Sequence, residues 1–249
     1  MKLALLGATG RIGDHLLGWA LTAGHDVHAL ARDPGALAGR PEALARQSEA
    51  AGGQPEAAGG QSEASGRQPE PSIGRPDRPP SPGRLTVTVG DALDAGAVAE
   101  VIAGADAVLS ALGPRGARTP ALLAGAAVNI VDGMAKSGVR RIIAVSAAGA
   151  YITGDPDTGM LVKLILPRIF AAPFADVRRM EDIIRAADLD WTLVRATRLV
   201  NGAGTGRYRV RPDFPPPKGR KIARPDVAHF IGRILTENAW PHAAPSLAY

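Results

Sequence analysis

Apolar and polar positions follow two periods along the chain, and the periods take turns. Lys2–Leu6 is a short apolar run that ends at Gly7, the pattern of a strand buried on both faces. Arg11–Ala23 then sets Ile12, Leu16 and Ala20 on one face at helical spacing. Asp26–Ala31 predicts a second strand. Leu85–Val89, reading Leu-Thr-Val-Thr-Val, predicts a third, with β-branched residues and period-two alternation. Ala95–Ile102 predicts a helix capped by Asp94, Ala107–Ala111 a strand, and Pro120–Ser137 a long helix. Arg141–Ser146 is another buried strand. Farther on, Pro173 stands where a proline can open a helix, and Val177, Met180 and Ile184 line one face of it. Asp190–Ala196 reads as a strand, Tyr208–Arg211 as a short one, and Pro225–Thr236 as a final helix.

Strands this continuously apolar, alternating with helices, imply a parallel sheet covered on both faces. The expected fold class is α/β: a Rossmann-type, doubly wound parallel sheet in a single domain over residues 1–249. Ligands in that architecture lie beyond the carboxyl ends of the strands, at the switch point of strand order.

Residues 40–84 break the pattern. Within them Ala45–Ser72 repeats four times at a period of seven, with Gln-Ser-Glu-Ala or Gln-Pro-Glu-Ala at its centre in the first three copies. No large apolar side chain recurs, so no coiled-coil seam exists, and the glycines and prolines exclude a continuous helix. Such a segment cannot offset its ordering entropy by burial, and a disordered insertion in a surface loop is expected.

The chain has 249 residues, 45% of them hydrophobic, enough for a sizeable core. No apolar run approaches the ~18 residues of a membrane span, and the apolar start at Leu3–Leu6 is too short for a signal peptide. A cytoplasmic protein that engages no membrane is therefore expected. The net charge of +5 comes from dispersed basic residues, and aromatics make up only 4% of the chain. That is too sparse for a stacking platform, so no nucleic-acid partner is expected. There is no cysteine, and the five histidines show no metal-ligand spacing, so no metal is expected.

The strongest local signal is Gly7-Ala8-Thr9-Gly10-Arg11-Ile12-Gly13, between the first strand and the first helix. Gly7 permits the tight turn, Gly10 lets backbone amides approach a diphosphate, and Gly13 lets the helix pack close to the sheet. The helix tip adds N–H donors and partial positive charge. A merely structural turn is the alternative. The second strand ends Ala31-Arg32-Asp33-Pro34. An arginine there suits the 2′-phosphate of NADP(H) rather than the 2′-hydroxyl of NAD(H), although Asp33 is either a ribose-binding acid or a turn residue.

These residues resemble the atypical short-chain dehydrogenases, a group that includes NmrA-like proteins and the biliverdin reductase B/flavin reductase family, the latter most of all. The resemblance rests on the glycine turn, Arg32, Gly90–Leu93, Ser110–Gly113, Ile142–Ser146, Leu189–Arg195 and Ile222–Phe230, in that order. It implies that Thr9, Gly10, Arg11 and Ile12 contact the diphosphate of the coenzyme and that Arg32 contacts the 2′-phosphate. Asp91 and Ala92 would border the adenine, with a helix-initiating acid as the other reading of Asp91. Ala111, Leu112 and Gly113 would line the ribose and bridging phosphate, and Ser146 and Ala147 would sit beside the nicotinamide.

Typical short-chain dehydrogenases carry a Tyr-x-x-x-Lys pair, whose lysine lowers the tyrosine pKa for proton transfer. The corresponding stretch here is Gly159-Met160-Leu161-Val162-Lys163, without tyrosine, and the fourth residue after Tyr151 is Asp155. Candidate catalytic residues are Ser146, Tyr151 and Arg198, whose plainer readings are a strand-end serine, packing beneath a loop, and an exposed arginine. Met160–Phe170 is unusually apolar; buried packing is the default, with a pocket lid or contact surface as alternatives. The expected function is NADPH-dependent reduction of a conjugated small molecule such as a flavin or quinone. The alternative is a non-catalytic, NADP(H)-sensing regulator of the NmrA type. A sugar-nucleotide epimerase is less consistent with the missing pair. Oligomeric state is left open, with a monomer as the default.

Overall fold

The computed structural model describes residues 1–37, 81–113 and 121–249. The repeat segment, most of the predicted insertion and the Pro120 start of the long helix lie outside the described residues. The first half runs β1 (Lys2–Leu6), α1 (Arg11–Thr22), β2 (Asp26–Ala31), β3 (Leu85–Val89), α2 (Ala95–Ile102), β4 (Ala107–Ser110) and α3 (Leu122–Ser137). After β5 (Arg141–Ala147) come α4 (Met160–Ile169), α5 (Ala171–Ala186) and β6 (Asp190–Ala196). The chain closes with β7 (Arg198–Val200), β8 (Arg209–Pro212), β9 (Lys221–Ala223), α6 (Arg224–Thr236) and β10 (Pro245–Ala248).

The main sheet has the order β3-β2-β1-β4-β5-β6-β10-β8. All its pairings are parallel except β8 against β10. Strand order reverses beside β1, so a crevice opens between the carboxyl ends of β1 and β4. Alternation within the strands divides the core. Leu3 and Leu5 face one layer with Leu16 and Leu17 of α1 and Phe230 and Ile231 of α6. Ala4 and Leu6 face the other, with Val98 of α2, Ile130 of α3 and Met180 of α5. Asp94 caps α2 as expected, accepting from the Gly96 and Ala97 amides.

The Rossmann-type, doubly wound and mostly parallel sheet is the expected fold class, with one antiparallel edge pairing where β8 turns back along β10. Two expectations need correction. Residues 83 and 84, assigned by pattern to the insertion, bond to the end of α1 and the start of β2: Gly83 N–H donates to Leu21 O at 2.8 Å, and Arg84 N–H to Asp26 Oδ1 at 2.8 Å. A Cβ on Gly83 would lie 1.8 Å from His25 O, so the backbone approach itself demands glycine. Finally, α4 is not buried. Met160 and Leu161 are 79% and 68% exposed, and Leu164, Ile165 and Ile169 also face outward. Among the described residues, no helix is long and apolar enough to cross a membrane.

Asp226, in the first turn of α6, ties the C-terminal part together. Its carboxylate accepts from the Thr205 and Gly206 amides and from the Tyr249 hydroxyl. Burial opposes its ionisation, but these bonds outweigh it, and its pKa lies below the ordinary value. Its stabilising contribution is therefore present above the unfolded carboxylate pKa of about 3.9 and is lost as pH falls through the lower folded value. Asp226→Asn is expected to unfold at a lower temperature at pH 7, by an amount equivalent to about 1 kcal/mol. The gap from the parent should shrink in melts below pH ~4; a gap unchanged down to pH ~2 would refute the assignment.

Candidate cofactor cleft

The glycine turn is held by close backbone contacts. Gly7 adopts φ +85°, and a Cβ there would lie 2.7 Å from Ala111 O at the end of β4. Gly10 N–H donates to Gly7 O at 2.8 Å, closing the turn. A Cβ on Gly13 would lie 2.0 Å from the same Gly7 oxygen, so α1 can sit this near the turn only without a side chain. Gly10 precedes α1 with no side-chain cap. Gly10, Arg11 and Ile12 at the helix tip line the mouth of a cleft.

That cleft has a volume of about 910 Å³ and runs along the carboxyl ends of the strands. Gly7, Thr9, Gly10, Arg11 and Ile12 line it from the turn, and Arg32, Asp91 and Ala92 from the ends of β2 and β3. Ala111, Leu112 and Gly113 follow β4, while Ser146 and Ala147 end β5. Gly13 is not in the lining; it acts beneath the turn. Arg32 is half exposed and lies 3.7 Å from Asp91 Oδ2, a loose pair that leaves the guanidinium open to an anion. Asp33 Oδ1 accepts from Gly35 N–H at 2.9 Å, the turn role, and Asp91 Oδ1 from Leu93 N–H at 3.0 Å. Asp94, not Asp91, initiates the following helix.

Pattern reading missed Arg224, which lines the cleft opposite Arg11 and donates to Asn201 Oδ1 at 2.7 Å. Burial and then the neighbouring Arg11 lower its pKa. With Arg11, Arg32 and Arg224 on its walls, the cleft suits a ligand of several negative charges. Its motif Ala223-Arg224-Pro225, just before a helix, was the available signal.

A cluster of buried polar groups underlies the β5 end of the cleft. Glu181 of α5 has no exposed surface. Its carboxylate accepts from Arg195 Nε at 3.0 Å and Nη2 at 2.6 Å, a bidentate pair, and from Arg185 Nη2 at 3.3 Å. Ser146 Oγ donates to Glu181 Oε1 at 2.5 Å. The Tyr151 hydroxyl shares this carboxylate, and its ring lies 3.5 Å beneath the Arg195 guanidinium. Burial first, and then Glu181, hold the Tyr151 phenol above its ordinary pKa against the opposing pull of Arg195. Tyr151 is thus kept protonated and set back from the cleft lining. Arg198 lies exposed on β7, outside the lining. Of the three candidate catalytic residues, only Ser146 reaches the cleft.

A family model described as NAD(P)H-binding matches residues 63–238, a stretch that begins after the glycine turn. Solved structures of similar fold include a Burkholderia pseudomallei protein named as exported, 24% identical over the whole of both chains, with a TM-score of 0.66. A short-chain dehydrogenase/reductase from Veillonella parvula, solved in complex with NADP, is 17% identical over all of this chain and 94% of its own, with a TM-score of 0.67. An anaerobilin reductase from Escherichia coli O157:H7 is 21% identical over all of this chain and 97% of its own, again with a TM-score of 0.67. At these identities the likeness is one of fold.

Proposed function

Because the chain belongs to the NAD(P)H-binding family, we propose that it is an NADPH-dependent reductase that transfers hydride to a conjugated small molecule such as a flavin or quinone. The observation that carries this reading is the continuity of one cleft from the glycine turn, past Arg32, to Ser146. The glycine turn and the tip of α1 line this cleft with backbone at Gly7 and Gly10, the surface a diphosphate needs. Thr9, Gly10, Arg11 and Ile12 hold that diphosphate, and Arg32 grips the 2′-phosphate. Asp91 and Ala92 border the adenine; Ala111, Leu112 and Gly113 line the ribose. Ser146 and Ala147 meet the nicotinamide end.

The coenzyme, when bound, supplies a two-electron hydride. Tyr151, held in its neutral form by burial and then by Glu181, gives up no proton in this scheme. The reduced product takes its proton from water, which a delocalised anion tolerates and a simple alkoxide does not. NADPH oxidation measured with purified protein across flavins, quinones and tetrapyrroles tests the reading. Turnover with a member of the panel is expected. Saturable binding without oxidation would instead support the NmrA-type sensor; the missing Tyr-x-x-x-Lys pair is compatible with both readings.

Arg32 carries the coenzyme choice. Arg32→Ala is expected to weaken NADPH binding about tenfold to a hundredfold, the loss of charge-assisted bonds to phosphate, while NADH changes by less than about twofold. Fluorescence titration distinguishes the two coenzymes. Equal losses for both would remove the 2′-phosphate assignment.

A further inference from the structure

We infer that Ser146 meets its ligand only as a hydrogen-bond acceptor, so that the group docking at the β5 end of the cleft is an N–H donor rather than a carbonyl, and that Glu181 is the positioning residue that sets this polarity. The inference rests on the coenzyme reading above and narrows what that end of the cleft takes.

A serine hydroxyl has one proton and two lone pairs. Here the proton is committed, because Ser146 Oγ donates to Glu181 Oε1 at 2.5 Å while Ser146 itself lines the cleft. Turning that proton toward a ligand would take the shorter of two bonds from Glu181 Oε1, a wholly buried carboxylate oxygen, and leave it only the one from Arg195 Nε. The reverse arrangement, with the proton on Glu181, is opposed by the two arginines that donate to the same carboxylate, Arg195 through two bonds and Arg185 through one. The serine is only 6% exposed, so water does not readily compete for its lone pairs. What faces the cleft is therefore a lone pair, made more basic because its own hydroxyl feeds a carboxylate. A ketone or aldehyde oxygen placed there meets another acceptor and is rejected. An amide, imide or pyrrole N–H is matched.

Two sources can bring that N–H: the carboxamide of the coenzyme's nicotinamide, and a ring N–H of the molecule to be reduced. Calorimetric titration separates them. The first arm compares NADP⁺ with its 3-acetylpyridine analogue, which replaces the carboxamide NH₂ by a methyl group and keeps the carbonyl. The second compares lumiflavin with 3-methyllumiflavin, which lacks the N3–H, with NADP⁺ saturating. A preference of about threefold to tenfold for the N–H-bearing member is expected in one arm, and that arm identifies the source. Ser146→Ala is expected to bring the two members of that pair to within about twofold, and to melt below the parent because the buried Glu181 carboxylate loses a donor.

Glu181→Gln frees the serine proton and is expected to shift the preference toward the carbonyl-only member, a change that a purely structural role for Glu181 does not produce. Should that variant fail to fold, Ser146→Ala alone decides. No preference in either arm, or a preference that survives in Ser146→Ala, overturns the inference and leaves the coenzyme reading standing. Absence of binding by both NADP⁺ and its analogue overturns the coenzyme reading, and the inference with it.

Discussion

Gly13→Ala is expected to lose about 3 kcal/mol of stability and to lose coenzyme binding with it. The added Cβ would lie 2.0 Å from Gly7 O and 2.7 Å from the Gly7 carbonyl carbon, and both are backbone atoms with no rotamer to move into. Relief comes only by lifting α1 from the turn, which opens the packing of Leu16 and Leu17 beneath it and displaces the amides at the helix tip. Gly113→Ala is the control: it lines the cleft, but nothing stands within 4 Å of its added Cβ. Urea titration should place Gly13→Ala well below the parent and Gly113→Ala close to it. Superimposable curves for parent and Gly13→Ala would show that the helix does not rest on the turn.

The second large effect is expected from the buried ion pair. Glu181→Ala strands Arg195, which is 4% exposed, without its bidentate partner, and the expected loss is about 3–5 kcal/mol. Burial opposes the charge on Arg195, and in the parent its bonds to Glu181, with Tyr151 and Asp213 nearby, prevail and raise its pKa; Glu181→Ala removes the largest of these supports and leaves the burial. The damage should be repaired by removing the second charge as well. Glu181→Leu combined with Arg195→Met fills similar volume without a buried charge and is expected to recover most of the loss, since a desolvated pair adds little net stability over apolar packing. A double variant as unstable as Glu181→Ala would mean that the pair stabilises the fold outright.

Those two experiments probe features that differ in how far they could be read from the chain. The glycine turn was legible because its meaning is local: seven consecutive residues, a strand before them and an amphipathic helix after them. Arg32 was legible for the same reason, standing one residue beyond a strand whose apolar run ends at Ala31. The Glu181 cluster was not. Its members lie 14 and 35 residues apart, on a helix and two strands, and no short window contains them. A partial signal existed, for Glu181 falls on the stripe of Val177, Met180 and Ile184, where a carboxylate must find a partner or be excluded. The stripe says that a partner is needed; it does not say which arginine supplies it.

The strands show the same division. Strands β1, β2, β4 and β5 announce themselves by apolar runs because both faces of a central strand are covered, and the edge strand β3 by its alternation. Strand β10 is only Pro-Ser-Leu-Ala, and its four residues are buried because β6 and β8 receive them on either side. The order of residues along the chain determined which faces turn inward and where the backbone bends, since period and turn chemistry act over a few residues. Only the tertiary structure decided which distant charges meet, which short segments become strands, and which way the Ser146 proton points. Those outcomes depend on distances across the folded molecule, and a Coulomb or hydrogen-bond contact has no counterpart in sequence separation.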